Sequence, residues 1–274
     1  MKTINFHKIS AAGNDFILID NRNKILPKDE SLLAKKLCDR KFAVGADGLI
    51  ILENSDKTDF KMRYYNSDGS IASMCGNGGR SIARFANILG IVQNKMTFET
   101  EAGFVKAEIL GKEIKLFLYE PKDAKLDFTL RVDKREFSVS FINTGVPHTV
   151  IFVNDIDKTD VLELGRMVRY HKEFLPGGTN VNFVQKKDDN SIFVRTYERG
   201  VEGETLACGT GVIASAIIAG LRGMVNQPVH CITRGGYILT VAYSKNDKGD
   251  LLSPVSNVSL QGPAEVAFKG EVSI

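Results

Sequence analysis

Two cysteines of the chain stand in matching surroundings that could support acid–base chemistry. Cys75 lies in Met74–Gly78 (MCGNG), and Cys208 lies in Ala207–Gly211 (ACGTG). Each cysteine precedes a segment with apolar residues at helical spacing, so each thiol is expected at the N-terminus of a helix. The unpaired N–H groups there carry roughly half a positive charge. That field favours the thiolate and lowers the pKa of a free cysteine from about 8.5.

A matched thiolate and thiol suit the inversion of a carbon that carries an acidic proton. One base removes the proton from one face while an acid delivers another proton to the opposite face, and the roles exchange with the direction of turnover. The helix N–H groups, kept clear by glycines, would hold the negative charge that develops on a substrate carboxylate. This chemistry needs no pyridoxal-type electron sink in principle, and the sequence shows no clear lysine motif for one.

Other interpretations of these segments stay open. A lone cysteine is usually a buried small hydrophobe, and we apply that interpretation to Cys38 and Cys231. Gly209–Ala214 matches the GxGxxA dinucleotide pattern, but no clear strand precedes it, and Gly76–Ser81 breaks the pattern. The thiols could also serve a redox-sensing or ligand-binding module.

The two cysteine segments belong to an internal repeat. The offset from Cys75 to Cys208 is 133 residues, and the same offset pairs Tyr64 with Tyr197. Landmarks near residues 14 and 100 recur in the second half at offsets of 132 and 133 residues. Landmarks that recur in one order at a nearly constant spacing indicate a duplicated domain.

Hydrophobic periodicity gives each half the same series of elements. Helices are predicted at Asp29–Leu37, Gly76–Leu89, 159–170 and 209–221. Strands are predicted at about 4–10, 15–20, 48–53, 59–65, 95–101, 103–110, 113–119, 136–143, 148–153, 181–186, 191–197, 228–233 and 236–243.

The fold class is therefore α+β, with two pseudo-symmetric lobes. An N-terminal lobe, 1–120, carries Cys75, and a C-terminal lobe, 121–263, carries Cys208. Pro121 with the charged run 122–127 is predicted to be the linker. The tail has strand character and could return to the first lobe at about 264–274.

The bulk composition excludes several classes of protein. The 36 basic and 33 acidic residues give a net charge of +3 and form no long block, which disfavours nucleic acid and membrane surfaces as partners. No stretch approaches the roughly 20 apolar residues of a spanning helix, and the N-terminus lacks a signal-peptide core. Four cysteines without a CxxC pair predict free thiols in a reducing cytoplasm.

Five segments resemble diaminopimelate epimerase: FHKISAAGNDF (6–16), YYNSDGSIASMCGNGGR (64–80), TGVPH (144–148), GGTNVNFV (177–184) and YERGVEGETLACGTG (197–211). The resemblance implies two lobes, each a mostly antiparallel strand barrel around a central helix, with the active site between them. It also implies interconversion of LL- and meso-2,6-diaminopimelate in lysine and peptidoglycan precursor biosynthesis, without metal or cofactor. A cytoplasmic homodimer is expected by the same resemblance.

The resemblance assigns roles residue by residue, with Cys75 and Cys208 as the paired bases. The substrate-binding positions that it implies are the backbone cradle of the reacting carboxylate (Gly76, Asn77, Gly209, Thr210), the partners of the reacting amino group (Asn14, Glu198), the holders of the distal end (Asn66, Asn180, Arg199) and a pocket histidine (His148). Taken singly, the asparagines would be turn formers and Arg199 a solvated charge.

Two positions depart from the family's pattern. Gly48 stands where some members place a polar side chain, and Val146 stands where many have asparagine. Each departure removes a possible hydrogen bond to substrate. A proline- or hydroxyproline-type racemase of the same fold is the alternative, although Arg199 and Asn180 favour a substrate with a second charged end.

Overall fold

A computed structural model describes residues 2–246 and 250–273 of the chain. The chain forms two compact units. One comprises Met1–Phe117 together with Gln261–Ile274, and the other comprises Leu118–Leu260.

The first unit contains two helices and eight strands of the N-terminal part. In chain order they are β1 (Thr3–Ala11), β2 (Asn14–Asp20), α1 (Glu30–Cys38), β3 (Gly48–Glu53), β4 (Phe60–Asn66), β5 (Ile71–Ala72), α2 (Gly76–Ile88), β6 (Lys95–Thr100), β7 (Gly103–Leu110) and β8 (Glu113–Phe117).

The second unit repeats this series after one additional strand. Its elements are β9 (Lys122–Val132), β10 (Arg135–Asn143), β11 (Pro147–Phe152), α3 (Val161–Arg169), a 3-10 turn (Lys172–Phe174), β12 (Asn180–Lys186), β13 (Ser191–Glu198), β14 (Gly203–Thr205), α4 (Gly209–Leu221), β15 (Val229–Thr233), β16 (Ile238–Lys245) and β17 (Val255–Pro263). The final strand, β18 (Glu265–Ser273), belongs to the first unit.

The strand order of the first unit is β18-β1-β2-β3-β4-β6-β7-β8, with β5 paired to β4. The β2–β3 and β4–β6 pairs are parallel, and the remaining pairs are antiparallel. Parallel neighbours need a crossover connection, and α1 and α2 supply the two that this order requires.

The second unit has the equivalent order β9-β10-β11-β12-β13-β15-β16, with β14 paired to β13. Its parallel pairs, β11–β12 and β13–β15, are again bridged by helices, here α3 and α4. The position that β9 occupies beside β10 is filled in the first unit by β18, which pairs with β1 from Thr3↔Ser273 to Ser10↔Glu265. The duplication predicted from sequence is therefore present in the topology.

One helix lies at the centre of each unit. Helix α2 packs against β1, β2 and β3 and also against β7 and β8, so strands from both ends of the order contact it. A sheet whose two ends meet the same helix must curve around that helix. Helix α4 packs against β10–β13, β15 and β16, and every residue of Gly211–Gly220 is buried. The predicted α+β fold, a mostly antiparallel sheet wrapped around a central helix in each half, is confirmed.

The predicted linker is wrong. Residues 122–127 form the first half of β9, which pairs with β10 rather than connecting two domains. The charged residues suggested a linker because most of residues 122–127 are exposed. Ala124 is the one buried residue among them. Asp123 and Asp127 have positive φ values of 56° and 49°, and the register with β10 shifts along the same strand. These irregularities break the strict alternation that identifies a strand.

Two short strands, β5 and β14, were not predicted. They contain two and three residues, which is too short for periodicity to show. Among the described helices, none combines the length and apolar character needed to cross a bilayer.

Candidate active site

Both predicted catalytic cysteines are the N-cap residues of the central helices. Cys75 precedes α2 with φ −140° and ψ 128°, and Cys208 precedes α4 with φ −118° and ψ 110°. The carbonyl oxygen of Cys75 accepts the first helical hydrogen bond from Gly79 N at 2.7 Å, and that of Cys208 accepts from Val212 N at 2.9 Å. The two local structures are equivalent, as the repeat requires.

The central helices begin without the side-chain cap that the other two helices have. Asp29 accepts from Leu32 N at the start of α1, and Asp160 accepts from Glu163 N at the start of α3. Neither cysteine side chain makes such a bond. The first N–H groups of α2 and α4 therefore have no acceptor in the helix or from its cap, which leaves them available to an anion.

A glycine allows the start of α4 to lie against a buried amide. A Cβ on Gly211 would lie 2.3 Å from Asn182 Oδ1 and 3.3 Å from Cys208 Sγ. Any side chain at this position would therefore displace Asn182 or the thiol. The Cys208 side chain is largely buried, and its Sγ lies 3.5 Å from Thr210 Oγ1.

The other two cysteines are unsuited to catalysis. Burial raises the pKa of Cys38 to about 12, and it raises the pKa of Cys231 far above the ordinary value. Both are almost fully buried. The prediction that they are small structural hydrophobes is confirmed.

In the first unit, the predicted residues Asn14 and Asn77 are hydrogen-bonded to each other. Asn77 Nδ2 donates to Asn14 Oδ1 at 2.6 Å, and Asn14 Nδ2 donates to Asp47 Oδ2 at 2.9 Å. Arg40 in turn pairs with Asp47 at 2.8 Å. The side chains at the start of α2 and at the start of β2 thus form one network.

Asn66 makes different contacts. Its Nδ2 donates to Ser70 Oγ at 3.0 Å and its backbone N donates to Ser70 O at 2.9 Å, which closes the turn between β4 and β5. In β3, Gly48 is the register partner of Asn66. A Cβ on Gly48 would lie 2.5 Å from Tyr64 Cε2, so the ring of Tyr64 occupies the space that a polar side chain would need.

In the second unit, strand pairing brings together His148, Asn180 and Arg199. His148 in β11 is the parallel register partner of Asn180 in β12. Asn180 Nδ2 donates to Pro147 O at 3.0 Å, and its Oδ1 accepts from Arg199 N at 2.8 Å. The Arg199 guanidinium donates from Nη1 to the Gly177 carbonyl at 3.3 Å.

His148 is a neutral hydrogen-bond donor. Burial, reinforced by the charge of Arg199, lowers the pKa of His148 to about 3. Asn182 Nδ2 donates to Thr149 O and lies 3.1 Å from His148 Nδ1, so Nδ1 accepts and the ring proton is assigned to Nε2. Among the described residues, that buried Nε2 has no hydrogen-bond partner.

Glu198 lies at the end of β13, directly before Arg199, and Thr210 lies on α4. Burial raises the pKa of the Glu198 carboxyl. Thr144, in the turn that also contains Val146, donates its hydroxyl to Thr210 O at 3.3 Å. The β10–β11 turn is thereby attached to the start of α4.

Three residues of these networks were missed by the sequence reasoning. Asp47 holds Asn14, Asn182 connects His148 with Thr196, and Arg80 contacts Asn77. For Asn182, the spacing in the sequence could have predicted its position. It follows Asn180 by two residues in a strand, so both amides face one side of an otherwise apolar segment.

The family model described as Diaminopimelate epimerase matches residues 6–122 and 140–258, one stretch in each half of the chain. The chain belongs to the diaminopimelate epimerase family. This confirms the family resemblance, and membership makes the protein an isomerase.

Relatives of the same family name match over almost the whole chain. The diaminopimelate epimerase of Aquifex aeolicus is 47% identical, covering 98% of this chain and 97% of that relative. That of Flavobacterium psychrophilum is 43% identical, covering 96% and 98%.

Solved structures of more distant proteins share the fold. A phenazine biosynthesis protein of the PhzF family from Bacillus anthracis has a TM-score of 0.77 at 18% identity, and each chain is covered completely. A probable proline racemase from Agrobacterium radiobacter has a TM-score of 0.73 at 13% identity, covering 99% of this chain and 93% of that one. At sequence identities this low, the similarity shows a shared fold and nothing about function.

Proposed function

We propose that the protein interconverts LL- and meso-2,6-diaminopimelate with Cys75 and Cys208 as its two bases. The observation that carries this proposal is the equivalence of the two cysteines. Each is the N-cap of a central helix whose first N–H groups lack a side-chain cap. In a member of this family, two such thiols supply one acid and one base.

The proton balance of the reaction follows from that pair. One cysteine, as thiolate, removes the α-proton of the substrate, and the C–H electron pair passes into the substrate carboxylate. The other cysteine, as thiol, donates its proton to the opposite face of the same carbon. The reverse reaction exchanges the two roles. The mechanism thus requires both thiols to reach one carbon, and it involves no cofactor.

The binding roles are proposed on the same basis. The N–H groups at Gly76, Asn77, Gly209 and Thr210 hold the reacting carboxylate, because a helix N-terminus stabilises the charge that develops there. Asn14 and Glu198 meet the reacting amino group, and His148 donates its Nε2 proton into the pocket.

The distal end of the substrate is assigned to Asn66, Asn180 and Arg199. Support comes from the bond between Asn180 Oδ1 and Arg199 N, which fixes the backbone that carries the guanidinium. A planar guanidinium recognises a carboxylate with two parallel hydrogen bonds, and proline has no second carboxylate for it to bind.

The cellular setting is part of the proposal. The reaction supplies lysine and peptidoglycan precursors in the cytoplasm. The protein acts as a homodimer, without nucleic acid or membrane as partner.

Single replacements of the two thiols test the proposal. Cys75→Ala and Cys208→Ala should each lower the rate of LL-diaminopimelate epimerisation by at least about 100-fold, because each removes one of two required proton-transfer groups. Cys38→Ala is the matched control, since it removes a buried thiol of raised pKa and should leave the rate near that of the wild type.

The readout is incorporation of deuterium at the α-carbon in D₂O, followed by mass spectrometry and chiral separation. Near wild-type turnover by either active-site variant would refute the two-base assignment. Deuterium exchange at the α-carbon of proline but not of diaminopimelate would refute diaminopimelate as the substrate.

A further inference from the structure

A line of hydrogen-bonded side chains runs from the second turn of α2 to the residue before β3. Arg80 Nη2 donates to Asn77 Oδ1 at 2.5 Å, and Asn77 Nδ2 donates to Asn14 Oδ1 at 2.6 Å. Asn14 Nδ2 then donates to Asp47 Oδ2 at 2.9 Å, and Asp47 Oδ1 accepts from Arg40 Nη2 at 2.8 Å. These five side chains are called the Asn14 network below.

The charged groups of the network fix the orientation of both amides. An amide has an oxygen that accepts and a nitrogen that donates, and its orientation is assigned from its partners. A guanidinium only donates and a carboxylate only accepts. Arg80 therefore requires Asn77 to turn its oxygen toward the guanidinium and its nitrogen toward Asn14. Asp47 requires Asn14 to turn its nitrogen toward the carboxylate and its oxygen toward Asn77, so the two ends give the same answer.

The α2 end of the network is buried. Arg80 is fully buried, and Asn77 is 3% exposed. If the Asn77 amide were turned around, its nitrogen would face the guanidinium and its oxygen would face the oxygen of Asn14. Two donors and then two acceptors would be opposed where water cannot replace the lost hydrogen bonds. The amides are therefore held in a single orientation.

The second half of the chain has no counterpart of this network. The positions 132 residues after Asn14 and Asp47 are Val146 and Thr179. A valine side chain has no hydrogen-bonding group, so the line of bonds cannot form there. Both halves have the same strand order and the same central helix, so the shared topology does not depend on the network. A role in the site accounts for what the fold does not require.

We propose that Asp47 is a positioning residue that keeps the Asn14 oxygen turned toward the start of α2, where it accepts a hydrogen bond from the reacting amino group of the substrate. Asn14 Oδ1 uses one lone pair for Asn77 and has a second for a ligand. An oxygen that only accepts matches a protonated amine, which only donates. This inference rests on the proposed function, in which Asn14 meets the amino group, and it adds the residue that sets the orientation of that amide.

Asp47→Asn is the variant that tests this role. Arg40 only donates, so it should hold the oxygen of the new amide and turn the nitrogen toward Asn14. Asn14 would then lie between two donors, one at position 47 and one at Asn77, and its amide would lose its single orientation.

Glu53→Gln is the matched control. Glu53 Oε1 accepts from Asn21 Nδ2 at 3.1 Å, a second pairing of a carboxylate with an asparagine in the same unit. The two residues lie at the other end of the β2–β3 pair, away from α2, and have no part in the Asn14 network.

The first measurement uses the protein without substrate. NMR of ¹⁵N-labelled protein gives the rate at which each asparagine NH₂ group exchanges its hydrogens with water, and Asn14→Ala and Asn21→Ala assign the two signals. Asp47→Asn should speed the exchange at Asn14 by at least about 10-fold, because a hydrogen bond to a charged group is lost. Glu53→Gln should speed the exchange at Asn21 and leave Asn14 unchanged.

The second measurement separates recognition of the amino group from general damage to the site. Asp47→Asn should raise KM for LL-diaminopimelate about 10-fold, because a donor then faces the substrate's amine. The Ki of pimelate, a competitive inhibitor with both carboxylates and no amino group, should change by less than about 2-fold. Glu53→Gln should leave both constants at their wild-type values.

Three results would overturn the inference: unchanged Asn14 exchange in a folded Asp47→Asn, equal weakening of diaminopimelate and pimelate, or wild-type Asn14 hydrogens that exchange as fast as those of an exposed asparagine. The last needs no variant and so does not depend on Asp47→Asn folding. The exchange rates need no substrate. Failure of the diaminopimelate assay would therefore overturn the proposed function and leave the orientation of Asn14 established.

Discussion

At the scale of single residues, the hydrogen bonds show which of the predicted binding residues are fixed by their neighbours and which keep donors for a ligand. Asn180 is held on both sides, since it donates to Pro147 O and accepts from Arg199 N. The Arg199 guanidinium contacts Gly177 O from one nitrogen, which leaves further N–H donors of the fork for a ligand. Substrate selectivity is therefore best tested at Arg199.

Arg199→Lys should lower kcat/KM for diaminopimelate at least about 10-fold, because a lost charge-assisted hydrogen bond costs about 1.5–3 kcal/mol. The α-proton exchange of amino acids without a distal carboxylate should barely change. Arg169→Lys is the control, because Arg169 Nη1 also donates to Gly177 O, at 3.2 Å, but pairs with Glu202. Equal losses on both substrate classes would favour the general racemase alternative.

At the scale of elements, the start of α4 depends on close packing against β12 and β13. A Cβ added at Gly211 would meet Asn182 of β12, whose Oδ1 accepts from Thr196 of β13 at 3.0 Å. The same amide holds His148, so one contact sets the positions of the helix start and of the buried imidazole.

Gly211→Ala should therefore lower both stability and activity. The added Cβ would overlap Asn182 Oδ1, and overpacking of this kind costs about 1–3 kcal/mol. Gly203→Ala in β14 is the control, because no described atom lies within 4 Å of the Cβ it would add. Urea unfolding and α-proton exchange measure the two effects. A wild-type midpoint and rate for Gly211→Ala would show that this contact is not required.

At the scale of the whole molecule, duplication has conserved topology while electrostatics have diverged. Both units place a helix across each parallel strand pair and a cysteine before the second helix. Among the described residues, only the first unit has an arginine in the second turn of that helix, and only the second unit has a fully buried histidine, His148. That histidine couples the stability of the folded chain to pH.

The sign of this coupling follows from the lowered pKa. The native value of about 3 lies below the unfolded value of about 6.5, so both states are neutral above pH 6.5 and His148 adds no pH dependence there. As the pH falls from about 6.5 toward 3, the unfolded chain binds a proton that the native protein excludes. The free energy of unfolding then decreases by up to about 1.4 kcal/mol per pH unit.

His148→Asn, which keeps an acceptor for Asn182, should remove this contribution. Between pH 7 and pH 5 the wild type should lose about 2 kcal/mol more than the variant in urea unfolding. His230→Asn, at a half-buried histidine of β15 whose Nδ1 lies 3.1 Å from Thr240 Oγ1, is the control for the loss of an imidazole as such. Parallel profiles for the wild type and His148→Asn would contradict the buried neutral assignment.

The sequence by itself determined the repeat, the central helices, the placement of both cysteines before them and the family. These features are local or periodic, and they can be recognised along the chain because helix and strand periods differ. The predicted α2 and α4 differ from the observed helices by at most one residue at an end.

Only the tertiary structure decided which polar side chains meet. The sequence presents Arg80 as an ordinary charged residue of a helix, whereas in the fold it is fully buried, because strands β1–β3, β7 and β8 pack against α2. Asp47 and Asn14 are separated by 33 residues, and a parallel β2–β3 pair brings them into contact. Contacts between distant residues depend on strand order, which periodicity does not encode. For the same reason, the charged edge strand β9 was mistaken for a linker.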